Sequence, residues 1–597
     1  MLPATLSEQR PATGARVHRG GIDYCVWAPN HGRMALEIRQ ADAATERHEM
    51  QREAGGYFSW HDAQGRPGDQ YRFVLEDGRA LPDVCSRFQP EGVHGPSECI
   101  DPEEYRWRVE SWRRPSWRDQ IVYELHVGTF TPEGTFLAAV GKLDHLRELG
   151  VTAIELMPVA DFPGRRNWGY DGVSLYAPAR CYGRPDDLRR LVDEAHTRGI
   201  AVVLDVVYNH LGPDGNYLGA YAAAYFHRDR ETPWGKTFNL DGHDSGPVRD
   251  FFVRNAAYWL DEFRIDGLRL DATHSMHDES SLHLLAEIAN AVHARGGFVI
   301  AEDERNTCTV LRRPDGTGHG IDAVWADDFH HQVRVALTGQ KGAYFANYTG
   351  TMAAVAETLR EGWFYRGQSY PTWGHPRGEP CAHLPVSAFV WCIENHDQVG
   401  NRARGERLEH LVSGAVFRAA TMLLTLAPYV PLLFMGQEWG ASAPFLFFTD
   451  HHGELGRLVS EGRRREFGAL HGAEESVPDP QKEETFLASK LNWGECAEPA
   501  HATLLEFYRS LFRERKAWLQ GDATDRANWD VAADGEVLTL HYRAARRRLV
   551  VAWREGAAIS GKNEGESVVL HSEEARFGGA GEWTRGPAAV LFATEDA

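Results

Sequence analysis

Eight short apolar runs, most of them separated by stretches with helical spacing, constrain this chain more than any other feature. They lie at 121–125, 153–157, 201–206, 268–271, 298–301, 323–326, 389–393 and 431–434. Near-continuous apolar strands are what a parallel sheet covered on both faces requires. In 137–149, Leu137, Val140, Leu143, Leu146 and Leu149 share one stripe. Segments 187–198 and 248–263 behave similarly, and 282–294 and 411–426 are more apolar still. Eight strands alternating with helices over about 300–350 residues is the pattern of an α/β (β/α)8 barrel with insertions. A doubly wound sheet is the alternative, but no glycine-rich phosphate fingerprint follows the first strand.

On either side of this region the pattern changes to alternation. Segments 22–27, 34–39, 57–60 and 70–75 are divided by Gly, Pro, Asn and Asp, which reads as a small sandwich. The expected organisation is an N-terminal β-sandwich over 1–100, a charged, Trp-rich connector over 101–118, the barrel over 119–502 and a C-terminal β domain over 503–597. The last is entered through a basic helix at 504–515 and continues in strands at 537–542, 548–552 and 567–570.

The 64 Lys and Arg against 85 Asp and Glu leave a net charge of −21. Such a chain repels nucleic acid and anionic membranes, so neither is expected as a partner, whereas a neutral substrate is indifferent to the field. Eighteen Trp offer faces that suit sugar rings, although any one of them is more often core packing. The eight Cys show no CxxC pair or Cys/His spacing, so neither zinc nor a disulfide framework is expected. The start lacks a basic-then-apolar leader, and Pro428 and Pro431 interrupt the longest uncharged apolar stretch, 419–436. The expectation is a soluble, reduced, cytoplasmic protein.

Reactive groups of a (β/α)8 barrel sit where its strands end. The third strand ends in Asp205-Val-Val-Tyr-Asn209-His210 and the fourth in Arg269-Leu-Asp271-Ala-Thr-His274. The fifth ends in Ala301-Glu302-Asp303-Glu304, and the seventh in Glu394-Asn395-His396-Asp397. A carboxylate at one strand end is usually just solvated; four such ends with His, Arg and Asn beside them point to chemistry. Arg269 and Asp271 are two apart, so they share a face, and the guanidinium favours an ionised Asp271 suited to nucleophilic attack. A structural ion pair is the plainer alternative. Glu302 closes its apolar run, and neighbouring Asp303 and Glu304 are expected to raise its proton affinity, as a general acid needs. Glu304 has the same strand parity, so a register error of two residues would exchange them. Asp397 is a third carboxylate, and His210, His274 and His396 are natural hydroxyl partners. A histidine zinc site would leave the three carboxylates unexplained, and no His-x-x-x-His pair unites these rings. Two carboxyls, one ionised and one protonated, are the apparatus of glycoside hydrolysis, with retention needing them about 5–5.5 Å apart.

Segments 205–210, 267–274, 300–302 and 389–397 resemble, in order and spacing, the four signature segments of the α-amylase family of glycoside hydrolases and transferases. The resemblance implies Asp271 as nucleophile, Glu302 as proton donor and Asp397 as transition-state stabiliser. It also implies Arg269, His210 and His396 as contacts at the cleaved sugar, with Asp205 and His274 beside them, and Tyr170 as the ring on which that sugar stacks. The N-terminal module resembles those of branching enzymes, debranching enzymes and maltooligosyltrehalose trehalohydrolases. Segments 123–136, 162–172 and 232–242 are most similar to the last group. So is Trp325-Ala-Asp-Asp-Phe-His-His331, where Ala326 departs from an expected Asn; its position suggests Asp328 and His331, with Trp168, on the acceptor side.

The resemblance implies cleavage of the α-1,4 bond next to the terminal trehalose of maltooligosyltrehalose, with related α-glucans as further ligands. No cofactor or metal enters this chemistry. A maltooligosyltrehalose synthase is implied as a pathway partner, without physical contact. The alternatives are a glycogen branching enzyme, in which a sugar hydroxyl replaces water, and a non-catalytic α-glucan-binding scaffold. A degenerate scaffold would lack the nucleophile or the acid, and here both positions are filled.

Overall fold

The computed structural model describes residues 10–40, 44–232, 235–311, 318–471 and 477–594. Pro233 and Trp234 of the 232–242 motif, and residues 1–9 at the start, fall outside them. The eight apolar runs form one closed parallel barrel in sequence order. Its strands are Val122–Leu125, Ala153–Leu156, Ala201–Val206, Gly267–Leu270, Phe298–Glu302, Ala323–Trp325, Phe389–Trp391 and Val430–Phe434. Val122 pairs with Leu432, which closes the ring.

Alternation along the strands separates two apolar clusters. Val122, Ala153, Val203, Ile300, Ala323 and Leu432 belong to one, inside the barrel. Their strand neighbours Tyr123, Ile154, Val202 and Leu268 belong to the other, under the helices. The connector is more than a spacer. Its Trp112 and Trp117 pack against the inner cluster, Trp117 lying 4.8 Å from the Phe298 ring and donating its indole N–H to the Ser387 carbonyl.

Two helical expectations need correcting. Segment 137–149 is two helices, Phe136–Val140 and Leu143–Leu149, broken at Gly141 and Lys142. Thr135 caps the first through the Ala138 N–H, and Leu137 is left 45% exposed, so the continuous stripe does not exist. Segment 411–426 becomes a helix only at Gly414, where Ser413 caps it, and Leu411 stays on the surface.

The N-terminal region forms a four-stranded and a five-stranded antiparallel sheet around Ile22, Tyr24, Leu36, Phe58 and Phe73. Tyr221 from a barrel loop joins that core and donates to the Pro82 carbonyl, 2.7 Å away. The C-terminal region is a five-stranded antiparallel sheet. The helix Pro499–Trp518 runs through the junction expected at 502–503. Among the described residues, no helix is long and apolar enough to cross a membrane.

Candidate active site

Parallel register sets Asp205 beside Arg269, and Arg269 beside Ile300. The Arg269 guanidinium is fully buried and lies 4.2 Å over the Trp325 ring. Its Nη1 donates to both Asp205 oxygens, at 2.9 and 2.8 Å, and to Asp271 Oδ1 at 2.8 Å. Its Nη2 is in ion contact with Glu302 Oε2 at 2.8 Å. One cation therefore holds three carboxylates from the ends of three adjacent strands. Just beyond Asp271 the backbone turns through Ala272 at φ 39°, a left-handed conformation that strains a non-glycine residue. That turn points the Ala272 N–H at Glu302 Oε2, 3.0 Å away.

The two carboxyls of this pair are shifted in opposite directions. Burial lifts the Asp271 carboxyl, repulsion from Glu302 and Asp205 adds to it, and Arg269 does not offset them, so it stands well above its usual range. Burial also pushes Glu302 upward, but Arg269, the Ala272 N–H and His396 outweigh it and hold Glu302 below its usual value. Asp303 does not face Glu302 at all: it accepts from Thr273 Oγ1 at 2.9 Å and pairs with Arg305. Glu304 is 55% exposed and faces His274 at 3.7 Å, so the parity ambiguity resolves to Glu302. His274 accordingly sits at the rim.

Tyr170 donates its hydroxyl to Asp205 Oδ2 at 2.6 Å and stacks on His396, ring centres 5.1 Å apart. Burial works against a charged His396, but Glu124 and Asp397 raise its pKa to about 9. Glu124 takes both the His396 backbone N–H, at 2.9 Å, and its Nδ1, at 2.5 Å. Asp397, second in the helix His396–Gly400, accepts from Asn401 at 2.9 Å; burial raises it, with His396 pulling the other way. His210 Nε2 lies 3.0 Å from the Tyr170 carbonyl. Trp168 is buried beneath, edge-on to His396.

Two expected contacts lie apart from this cluster. Asp328 is fully buried and accepts from Asn306, Tyr348, Arg377 and the Phe364 and Tyr365 amides, which leaves it nothing to offer a sugar. His331 is buried on His330, and burial lowers its pKa to about 3. The residue turned toward the site is Asp327, lifted to about 8 by burial and by Glu302 and Asp397. Sequence reasoning also missed Glu124 and Glu155, which lie side by side under the site in register. Burial and the charge of Glu124 push Glu155 well above its usual range. The available signal was a Glu inside each of two otherwise apolar runs, Val-Tyr-Glu-Leu and Ala-Ile-Glu-Leu.

Comparison with known proteins places the chain in a family. A model of the alpha amylase catalytic domain matches residues 131–256. A malto-oligosyltrehalose trehalohydrolase of Deinococcus radiodurans is 45% identical over 92% of this chain and 91% of its own. One of Saccharolobus solfataricus is 43% identical over 85% of this chain and 87% of its own. A crystal structure from Salmonella typhimurium, provisionally named an alpha amylase, superposes with TM-score 0.88 at 39% identity, covering 98% of this chain and 99% of that one.

Proposed function

The chain belongs to the malto-oligosyltrehalose trehalohydrolase family of α-amylase-type glycoside hydrolases, and we propose that it releases trehalose from maltooligosyltrehalose with retention of configuration. The observation that carries the mechanism is the single Arg269 guanidinium touching Asp205, Asp271 and Glu302. One guanidinium holds both carboxyls, and retention needs such a pair about 5–5.5 Å apart.

In this reading the terminal sugar before the cut stacks on Tyr170, with its hydroxyls on His210, His396 and Asp205. As the anomeric carbon gains positive charge it favours a bare Asp271 carboxylate, and Glu302 passes its proton to the departing oxygen. Asp271 bonds to the anomeric carbon as the bond to trehalose breaks. Glu302 then takes a proton from water, whose oxygen displaces Asp271 and frees the maltooligosaccharide. Asp397 steadies the oxocarbenium-like state from its own strand end. Asp327 replaces Asp328 as the acid nearest the leaving trehalose. Eight cysteines without a disulfide support a reducing, cytoplasmic setting, in which a synthase acting on maltooligosaccharide ends supplies the substrate.

Product analysis tests this on two substrates, maltohexaose and maltohexaose with an isomerised trehalose end. Free trehalose from the second, with little attack on the first, is expected. New α-1,6 linkages would make it a branching enzyme, and glucan binding without turnover a scaffold.

A further inference from the structure

Far along the chain from the barrel mouth, three metal-type donors meet on one face of the N-terminal four-stranded sheet. Antiparallel register sets Arg16 opposite Asp23, and Asp23 opposite His61. His18 lies two residues beyond Arg16, so its side chain emerges on the same face, diagonal to Asp23. Asp23 Oδ1 is 2.8 Å from His61 Nδ1, and its Oδ2 is 3.3 Å from His18 Nε2. The two imidazoles stack with ring centres 5.7 Å apart and planes 21° apart. One donor atom from each of the three residues lies within 4.8 Å of the other two, the one such grouping among the described residues. Their side chains are 44%, 43% and 50% exposed, so a hydrated ion has direct access.

We propose that His18, Asp23 and His61 form a surface site for a borderline divalent metal, Zn2+ first, with Co2+ and Ni2+ as equivalents. Two imidazoles and one carboxylate suit such ions, whereas Ca2+ and Mg2+ take oxygen shells. Three protein ligands leave the remaining position to water. The donors must close from within 4.8 Å to the about 3.3 Å edge of a tetrahedron with bonds near 2 Å. Metal on His18 Nε2 places the ring hydrogen on Nδ1, so the 3.1 Å bond it accepts from the Gly20 N–H is given up. That bond is at an exposed turn, where water replaces it readily. Arg16 shares the face, and its charge weakens the site. The metal would staple the strands Gly14–His18, Gly21–Trp27 and Tyr57–Asp62.

Calorimetric titration of the full chain with ZnCl2 tests this on wild type, His18→Ala, His61→Ala and Asp23→Asn. One equivalent should bind to wild type and roughly tenfold or more weaker to each variant, with metal-free melting temperatures unchanged. Arg16→Ala should tighten binding. Asp23→Asn keeps the side-chain shape, so it supplies the same readout if a histidine variant misfolds. Isotherms identical to wild type in all three ligand variants would overturn the site, as would Ca2+ binding there as tightly as Zn2+. Trehalose release should be the same in every variant, which separates this site from the hydrolytic one.

Discussion

Arg269 and Asp328 are both fully buried charges on the C-terminal side of the barrel, and their surroundings are inverted. Asp328 collects five donors, and Arg377 and Tyr348 overcome burial to hold its carboxyl below the usual range. Arg269 faces three carboxylates, while its Nε and Nη2 have no aligned hydrogen-bond partner. One site is saturated and rigid; the other keeps negative charge in mutual repulsion, with Asp271 driven upward as the sign of it. A saturated buried charge fixes structure, whereas an under-neutralised one is complementary to a cation that exists only briefly, such as an oxocarbenium-like sugar.

Asp271→Ala is the largest test of that contrast: turnover should fall by roughly four orders of magnitude or more, while the melting temperature does not drop. An equal loss of stability in Asp271→Ala and Asp328→Ala would break the comparison. For Asp328→Ala, which strands Arg377 in the interior, chemical denaturation should register a loss of about 3–5 kcal/mol. Arg269→Lys keeps the charge and removes the fork, so kcat should drop about 100- to 1000-fold with glucan affinity much less changed.

His396 gives a pH test. Its folded pKa of about 9 lies above the ordinary 6.5, so its contribution is complete below pH 6.5 and fades as pH rises through 9. Melting curves across that window should show a loss of up to about 3 kcal/mol in wild type that is absent from His396→Gln. The smallest effect belongs to Asp327→Asn. With its carboxyl lifted to about 8, the variant should change turnover only a few-fold and flatten the rate profile around pH 8.

The barrel and its reactive ends were legible because each apolar run stops where a polar side chain begins, and because Arg269 and Asp271 need only strand parity to meet. Direction at a turn was not legible. Asp327 and Asp328 are adjacent, and which one faces the site depends on where the helix Asp328–Thr338 starts. Parity also implies that Asp303 points away from Glu302, yet the charge argument counted it as a neighbour; Thr273 and Arg305 claim it instead. Glu124 and Glu155 stayed hidden because a buried acid in an apolar run looks like a flaw until the ring closes and brings His396 over it.

The tryptophans of the connector bear on what could be exchanged between such proteins. Trp112 donates to Asp266, Trp117 closes on Phe298, and Arg114 ties the same segment to Asp266 and the Arg295 carbonyl. A shuffling event that swapped the amino-terminal module at residue 100 would leave these side chains in place and the barrel floor plugged. One that cut at 118 would remove the plug and open the interior to water. The segment thus travels with the barrel as one heritable unit, and the permissive crossover point lies before it.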